Sequence, residues 1–367
     1  MIQSLTLILL LLTAMGMVGC SEKSWVAEEN NISGEMNSSV EINSSTASDE
    51  EKTFSLAVPE EIQVKECQAK VLQLKTEGGE GEIKFSISGD DAISFDVNSS
   101  SGEIVFKPLT LPDYERRDSY LILAEATDAN GKKVTKEIVI EILQWNTTHN
   151  GITYGCVPSP YTGKVWLDRN LGAQRVCQSF DDILCYGEYY QWGRNADGHQ
   201  KSDSLTTWDQ AQNITTVGHS MFILADYAHR YDWAYTVDQD GSDRITQWRE
   251  VDGSSVCPKD FHVATEAELK AELLDENSAE IQKSSLEKEG NSDDRRINAF
   301  NTFLKLPMAG DRHPLTGKTD NQTIKGAIWT ASAHGVEAAD IYITSSKAEW
   351  HTYADRAFGL SVRCVKE

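Results

Sequence analysis

The sequence predicts a multidomain protein in which a β-sandwich is followed by an irregular α+β domain. Two observations carry this. Between residues 54 and 144 apolar and polar residues alternate with period two, broken by turn signals every few residues. From residue 150 to 367 that period is lost, loops rich in Gly, Asn and Asp take over, and seven of the nine tryptophans gather there. A length of 367 residues suits two or three domains, and 40% hydrophobic with 25% charged residues is the composition of a soluble globular chain. A formal net charge of -23 argues against a nucleic-acid partner, because phosphate binding needs a positive field.

The first element lies outside any fold. Leu5 to Val18 is an almost continuous apolar run, short of the roughly 20 residues of a membrane span, and it closes on Gly19-Cys20. The run and its cysteine resemble the lipobox of bacterial lipoproteins. The resemblance implies a signal peptide over 1–19, lipidation of Cys20 and, with Ser21 next, an exported protein anchored to the outer membrane by its N-terminal lipid. An uncleaved anchor and an ordinary secretory signal are the other readings of the run. Residues 20–53 are rich in Ser, Asn and Glu and poor in apolar side chains, so a disordered acidic tether is expected.

The second element, residues 54–144, alternates at Ile83-Phe85-Ile87, at Ile93-Phe95-Val97 and at Ile104-Phe106. Longer strands are expected at Tyr120–Ala124 and Lys136–Ile142, with Ile138, Ile140 and Ile142 on one face. Turns fall at Gly78-Gly79, Gly89-Asp90, Ser101-Gly102 and Asp128–Gly131. The motif order Val58-Pro59-Glu60-Glu61, Phe85-x-Ile87-x-Gly89-Asp90, Leu111-Pro112-Asp113-Tyr114-Glu115 and Ala126-Thr127-Asp128-Ala129-Asn130-Gly131 resembles a cadherin repeat. In that family carboxylates from such loops bind calcium at one end of the sandwich. Carried over, the ligand candidates are Glu60 or Glu61, Asp113, Glu115 and Asp128; the plainer reading makes them turn and loop residues.

Beyond Cys20 six cysteines remain, an even number in an exported chain, and six allow 15 pairings. Cys177 and Cys185 are close enough to close a short loop, and Cys257 and Cys364 flank most of the last segment. Cys67 and Cys156 are then left, as a linkage between domains or as free thiols.

The third element, residues 150–367, is expected to hold a helix over Thr265–Leu274, where Thr265 and Glu268 form a capping box. A second helix is expected around Asp294–Phe303, with Ile297, Phe300 and Leu304 on one face. The motifs Lys164-Val-Trp166-Leu-Asp168-Arg169-Asn170, Tyr190-Gln191-Trp192-Gly193-Arg194, Cys257-Pro258, Gly326-Ala-Ile-Trp329 and Phe358-Gly359-Leu-Ser-Val362-Arg363-Cys364 resemble the Fibrobacter succinogenes major paralogous domain. That family is similar to C-type-lectin-like and formylglycine-generating-enzyme folds. The resemblance implies a Cys257–Cys364 disulfide and places Cys177 and Cys185 on one loop.

Three clusters in this domain are candidates for function. Asp238, Asp240 and Asp243 crowd around Gly241 and either wrap a Ca²⁺ ion or form an acidic surface turn. Trp208, Trp233, Trp248 and Trp350 sit among polar residues and either form a glycan platform or plug the core. The pairs His229 with Asp226 and His351 with Asp355 read as surface or hydrogen-bonded groups, and no catalytic motif is recognised.

The expectation is therefore a non-catalytic, lipid-anchored envelope protein that binds a surface polysaccharide or protein, with Ca²⁺ as the one cofactor its carboxylates suit. The alternatives are an enzyme on a formylglycine-generating-enzyme-like fold, either an oxidase or carbohydrate-active, and a passive spacer.

Overall fold

The computed structural model describes residues 53–273 and 294–367. The leader, Cys20, the tether up to residue 52 and the expected last helical residue, Leu274, lie outside the described residues. No helix among the described residues is long and apolar enough to cross a membrane.

The N-terminal module has nine strands: β1 (Ser55–Ala57), β2 (Ile62–Lys65), β3 (Lys70–Gln73), β4 (Lys75–Glu77), β5 (Lys84–Ser88), β6 (Phe95–Val97), β7 (Glu103–Phe106), β8 (Ser119–Thr127) and β9 (Lys133–Leu143). One sheet runs β2-β9-β8-β5, with β2 parallel to β9 and the other pairs antiparallel. The second runs β3-β7-β6, and β1 pairs with β4. The period-two pattern dictates which face is buried: Ile138, Ile140 and Ile142 of β9 and Tyr120, Ile122, Ala124 and Ala126 of β8 point inward. They meet Phe95, Ile104 and Phe106 of the facing sheet in one core. Ile93 departs from the expected strand. It lies in a 3-10 helix, Asp90–Ser94, and is 76% exposed.

A short hairpin, Thr147–His149 with Ile152–Tyr154, leads into the distal module. Two four-stranded sheets and a three-stranded one form its frame. The first orders Cys156–Pro158, Val165–Leu167, Cys364–Lys366 and Phe261–Val263, so the last strand of the chain lies inside the sheet. The second orders Tyr190–Gln191, Gly359–Leu360, Asp311–Arg312 and Thr319–Asp320. The third is a meander of Gly326–His334, Glu337–Ile343 and Ala348–Ala354. Three helices among the described residues pack around them: α1 (Ser242–Arg249), α2 (Glu266–Leu273) and α3 (Arg295–Asn301).

The capping box forms as the sequence predicts. Thr265 Oγ1 accepts the Glu268 N–H at 3.2 Å and the Glu268 carboxylate accepts the Thr265 N–H at 2.9 Å. In α3 the buried face is Asn298 and Ala299, while Ile297 points outward, so the expected apolar stripe is rotated.

The loops between these short strands need hydrogen bonds that no ladder supplies. Five buried arginines supply them: Arg194, Arg244, Arg312, Arg356 and Arg363. Arg312 donates to the carbonyls of Gly317 at 2.7 Å, His199 at 2.9 Å, Lys201 at 2.7 Å and Ser204 at 2.6 Å. Arg363 donates to Leu167 and Leu304, and Arg356 to Gln239 and Gly335. Arg244 forks onto Asp232 at 2.8 and 3.0 Å beneath the rings of Trp192 and Trp233.

Candidate cation site at the junction of the two modules

The site begins with strand β2. Ile62 and Val64 point inward, so two residues on Glu66 must also point inward. Glu66 is 1% exposed, and its carboxylate accepts the N–H groups of Tyr114 and Trp145, each at 2.9 Å. Those bonds tie the loop before β8 and the chain leaving β9 to the end of β2. Cys67 follows with a left-handed backbone, φ 60°, donates its N–H to Pro112 at 2.9 Å, and bonds through sulfur to Cys156 of the distal module. The Trp145 ring lies against Phe261, 5.7 Å between centroids.

Asp113 and Glu115 complete the cluster. One carboxylate oxygen from each of Glu66, Asp113 and Glu115 lies within 4.8 Å of the others, the single such group among the described residues. Asp113 accepts the Arg116 N–H, and Glu115 accepts the Gln144 amide at 3.1 Å. All three line a cleft of about 860 Å³ whose far wall is distal: Pro158, Tyr161, Asp168 and Phe303 among others. Burial pushes the Glu66 carboxyl up to about 7; the two N–H donors oppose this, while the charges of Glu115 and Asp113 add to it. Asp113 is raised by burial and then by Glu115. Across the cleft, Asp168 is raised by burial against the pull of Arg169, and Glu115 raises it further. Its Oδ1 is buried with no hydrogen-bond partner among the described residues.

The donor set fits a hard divalent cation. Ca²⁺ takes six to eight oxygens, and clustered carboxylates that repel one another are relieved by a +2 charge between them. The orphaned Oδ1 of Asp168 supplies one more unsatisfied oxygen on the opposite wall.

Several candidates expected from the sequence lie elsewhere, and each departure has a cause. Glu60 and Glu61 are exposed ahead of β2, and Glu61 stands five residues, about 17 Å of extended chain, from Glu66. Asp128 follows the far end of β8, a nine-residue strand about 30 Å long that starts near Asp113. Its carboxylate closes the β8–β9 turn by accepting the N–H groups of Asn130 at 3.0 Å, Lys132 at 2.9 Å and Glu80 at 3.3 Å.

The Asp238 cluster does not converge on a cation either. Asp238 accepts the Asp243 N–H at 3.0 Å and the Arg244 Nε at 2.9 Å, so it caps α1 and pairs a buried arginine. Asp240 turns to Ser242, and Asp243 faces solvent on the first turn of α1. The expected aromatic platform is dispersed. Trp233 and Trp248 are fully buried, Trp350 is half-buried against the core, and Trp208 alone of the four is exposed, at 49%. The buried arginine and aspartate pairs explain this, because they let polar-flanked indoles enter the interior.

The cysteines pair as Cys67–Cys156, Cys177–Cys185 and Cys257–Cys364. Of the two alternatives for Cys67 and Cys156, the structure takes the linkage between modules. His229 hydrogen-bonds Asp226 at 2.7 Å, and His351 turns to Glu349 and Asp340 rather than to Asp355.

Sequence reasoning missed Glu66. The signal was present: a glutamate at the third inward position of the Ile62-x-Val64-x-Glu66 alternation is a buried acid by pattern alone.

No protein-family model matches the chain, and no curated protein matches it. Among solved structures it is similar over about a quarter of its length to cadherin-type domains. Human protocadherin-24 EC1-2 is 19% identical over 25% of this chain and 43% of that chain, with a TM-score of 0.22. Protocadherin gammaB7 EC3-6 is 24% identical over 26% and 24%, with a TM-score of 0.22. Mouse cadherin-23 EC22-24 is 20% identical over 26% and 33%, with a TM-score of 0.21. The chain spans less than half the length of each of these structures, and no functional residue is carried over from them.

Proposed function

We propose that this is a non-catalytic envelope protein, lipid-anchored through Cys20 to the outer membrane, whose cadherin-like sandwich carries a distal binding head. In this reading the distal module is of the Fibrobacter succinogenes major paralogous type with a C-type-lectin-like core. Its ligand is a surface polysaccharide or a surface protein. Ca²⁺, held by Glu66, Asp113 and Glu115, would neutralise the junction and stiffen the angle at which the head is presented.

The observation that carries the reading is the placement of the three carboxylates in the cleft where the modules meet, beside the covalent tie of Cys67 to Cys156. The oxidase alternative depends on a reactive thiol, and all six described cysteines are paired.

The test is a calorimetric titration of the full chain in detergent micelles with CaCl₂, followed by a glycan array and a partner pull-down in Ca²⁺ and in EDTA. The expected outcome is Ca²⁺ binding that raises the Tm and is lost in Asp113→Asn/Glu115→Gln, with ligand capture strengthened by Ca²⁺. Absence of both Ca²⁺ binding and any captured ligand would sink the proposal.

A further inference from the structure

A second cleft, wholly outside the junction carboxylates, has the features of a ligand pocket. It encloses about 440 Å³ and is lined by Tyr154, Tyr190, Glu188, Gln200 and Lys201, with Ile152, Leu171 and Ala196 giving apolar surface. Its walls are fixed by backbone bonds. Glu188 N–H donates to Leu171 at 2.9 Å, Tyr189 N–H donates to Gln200 at 2.8 Å, and Arg312 clamps the carbonyls of His199 and Lys201 from behind. Gly172, at φ +80°, leaves room for the Glu188 side chain; a Cβ there would lie 2.3 Å from Glu188 Cγ.

The pocket holds polar groups whose bonding capacity is unspent. Gln200 is 6% exposed; its Oε1 accepts the Gly198 N–H at 2.9 Å, but its amide nitrogen has no hydrogen-bond partner among the described residues. Glu188 accepts the Tyr190 hydroxyl at 2.9 Å with one oxygen, and its other oxygen accepts nothing from the described residues. Tyr154 Oη accepts the Gly172 N–H at 2.8 Å and keeps its own proton to donate. Lys201 is exposed, and its ammonium is in no ion pair among the described residues. Solvent reaches the open nitrogen of Gln200 and the open oxygen of Glu188, so a ligand with matching hydroxyls takes over bonds otherwise made to water.

Among these four side chains three donors and one acceptor are open, and with His149 and Asn150 they line a cavity within the usual size range of small-ligand sites. Glu188 and the exposed Lys201 carry opposite charges, so the lining has no net formal charge from this pair, and a neutral ligand suits it. A neutral ring with several hydroxyls, each able to donate and accept, matches this set, with its C–H face against Ile152, Leu171 and Ala196. We propose that the cleft between Tyr154, Glu188 and Gln200 binds a neutral sugar ring. This rests on the binding-head reading above and names its site and substrate class.

The experiment is saturation-transfer difference NMR on the full chain in detergent micelles. The probes are methyl glycosides of glucose, galactose, mannose, rhamnose and N-acetylglucosamine. Transfer to ring protons of at least one glycoside is expected, with affinity falling about fivefold or more in Gln200→Leu and in Lys201→Met. Glu188→Gln keeps the side-chain shape and the Tyr190 contact, so it guards against a variant that fails to fold. No transfer to any glycoside, transfer that persists in all three pocket variants, or displacement of the glycosides by free amino acids would each overturn the proposal. Persistence in the variants would leave the binding-head reading standing and remove only this site.

Discussion

The sandwich and the distal module solve the same physical problem in opposite ways. In the sandwich, backbone groups pair in long ladders; β8 and β9 alone stay in register from Ser119 with Glu141 to Thr127 with Lys133. Its core can therefore be purely apolar, and side chains do little hydrogen bonding inside it. In the distal module several strands are only two residues long; loop carbonyls turn inward to meet buried guanidinium groups, and indole N–H groups bond to carbonyls of both loops and strands. A fold assembled from loops can be rigid when a few charged side chains act as hubs, but it then depends on single residues in a way a ladder does not.

The strongest way to break that contrast is to remove a hub. Arg312→Met removes a donor from four loop carbonyls, of which those of His199 and Lys201 keep a bond from Ser204, and is expected to cost more than about 4 kcal/mol, read by urea unfolding with tryptophan fluorescence. Ile140→Ala, at the centre of β9, is expected to cost about 2–5 kcal/mol through its cavity. If Arg312→Met costs under about 1 kcal/mol, the hub account is wrong. Next comes the Cys257→Ser/Cys364→Ser pair, expected to cost about 2–5 kcal/mol, with amide exchange in β8 and β9 unchanged.

The same contrast decides what could be read from the sequence. Ladders impose period two, so Ile138, Ile140, Ile142 and the inward face of β8 were legible. The capping box at Thr265 was legible because it is local. The distal hubs were not, because the partners of Arg312 lie up to 113 residues away and no spacing rule connects them. The Trp233 and Trp248 environments read as polar for that reason. The junction site was half legible: Asp113 and Glu115 stood out in their loop, while Glu66 was hidden beside a more conspicuous Pro59-Glu60-Glu61.

Acid acts with opposite signs at one buried residue of each module, His199 and Glu66. All eight histidines lie from His149 onward. Burial, with the charge of Arg194 beside it, lowers His199 from 6.5 to about 3, although Asp197 pulls the other way. Between those values the unfolded chain binds the proton and the folded one does not, so stability falls as pH falls from 6.5, by at most about 1.4 kcal/mol per pH unit. Glu66 is the reverse case. Its carboxyl, raised from 4.5 to about 7, is protonated in the folded state first, so its contribution is fully present below 4.5 and is lost as pH rises through 7. Amide exchange measured at about pH 7.5 and about pH 5 is expected to show slower exchange at the end of β2 and faster exchange around Gln191 and His199 at the lower pH, after correction for intrinsic rates. A common direction in both places would contradict the assignment.

The smallest effect sharpens the contrast at one turn. Asp238 and Asp243 are five residues apart and look equivalent in sequence, but they hold different positions in the distal logic. Asp238 is buried, caps α1 through two backbone N–H groups and pairs Arg244, which in turn holds Asp232 under two tryptophans. Asp243 faces solvent. Asp238→Asn keeps the shape and one acceptor oxygen yet removes the charge facing Arg244, so it should cost about 1–3 kcal/mol. Asp243→Asn should stay within about 0.5 kcal/mol, its small penalty being the loss of an acid from the first turn of a helix. Thermal unfolding of the two variants in parallel, with and without Ca²⁺, checks both statements. Equal costs would mean that the turn works as one acidic unit; a large difference, insensitive to Ca²⁺, means that one carboxylate belongs to the arginine network and the other to solvent.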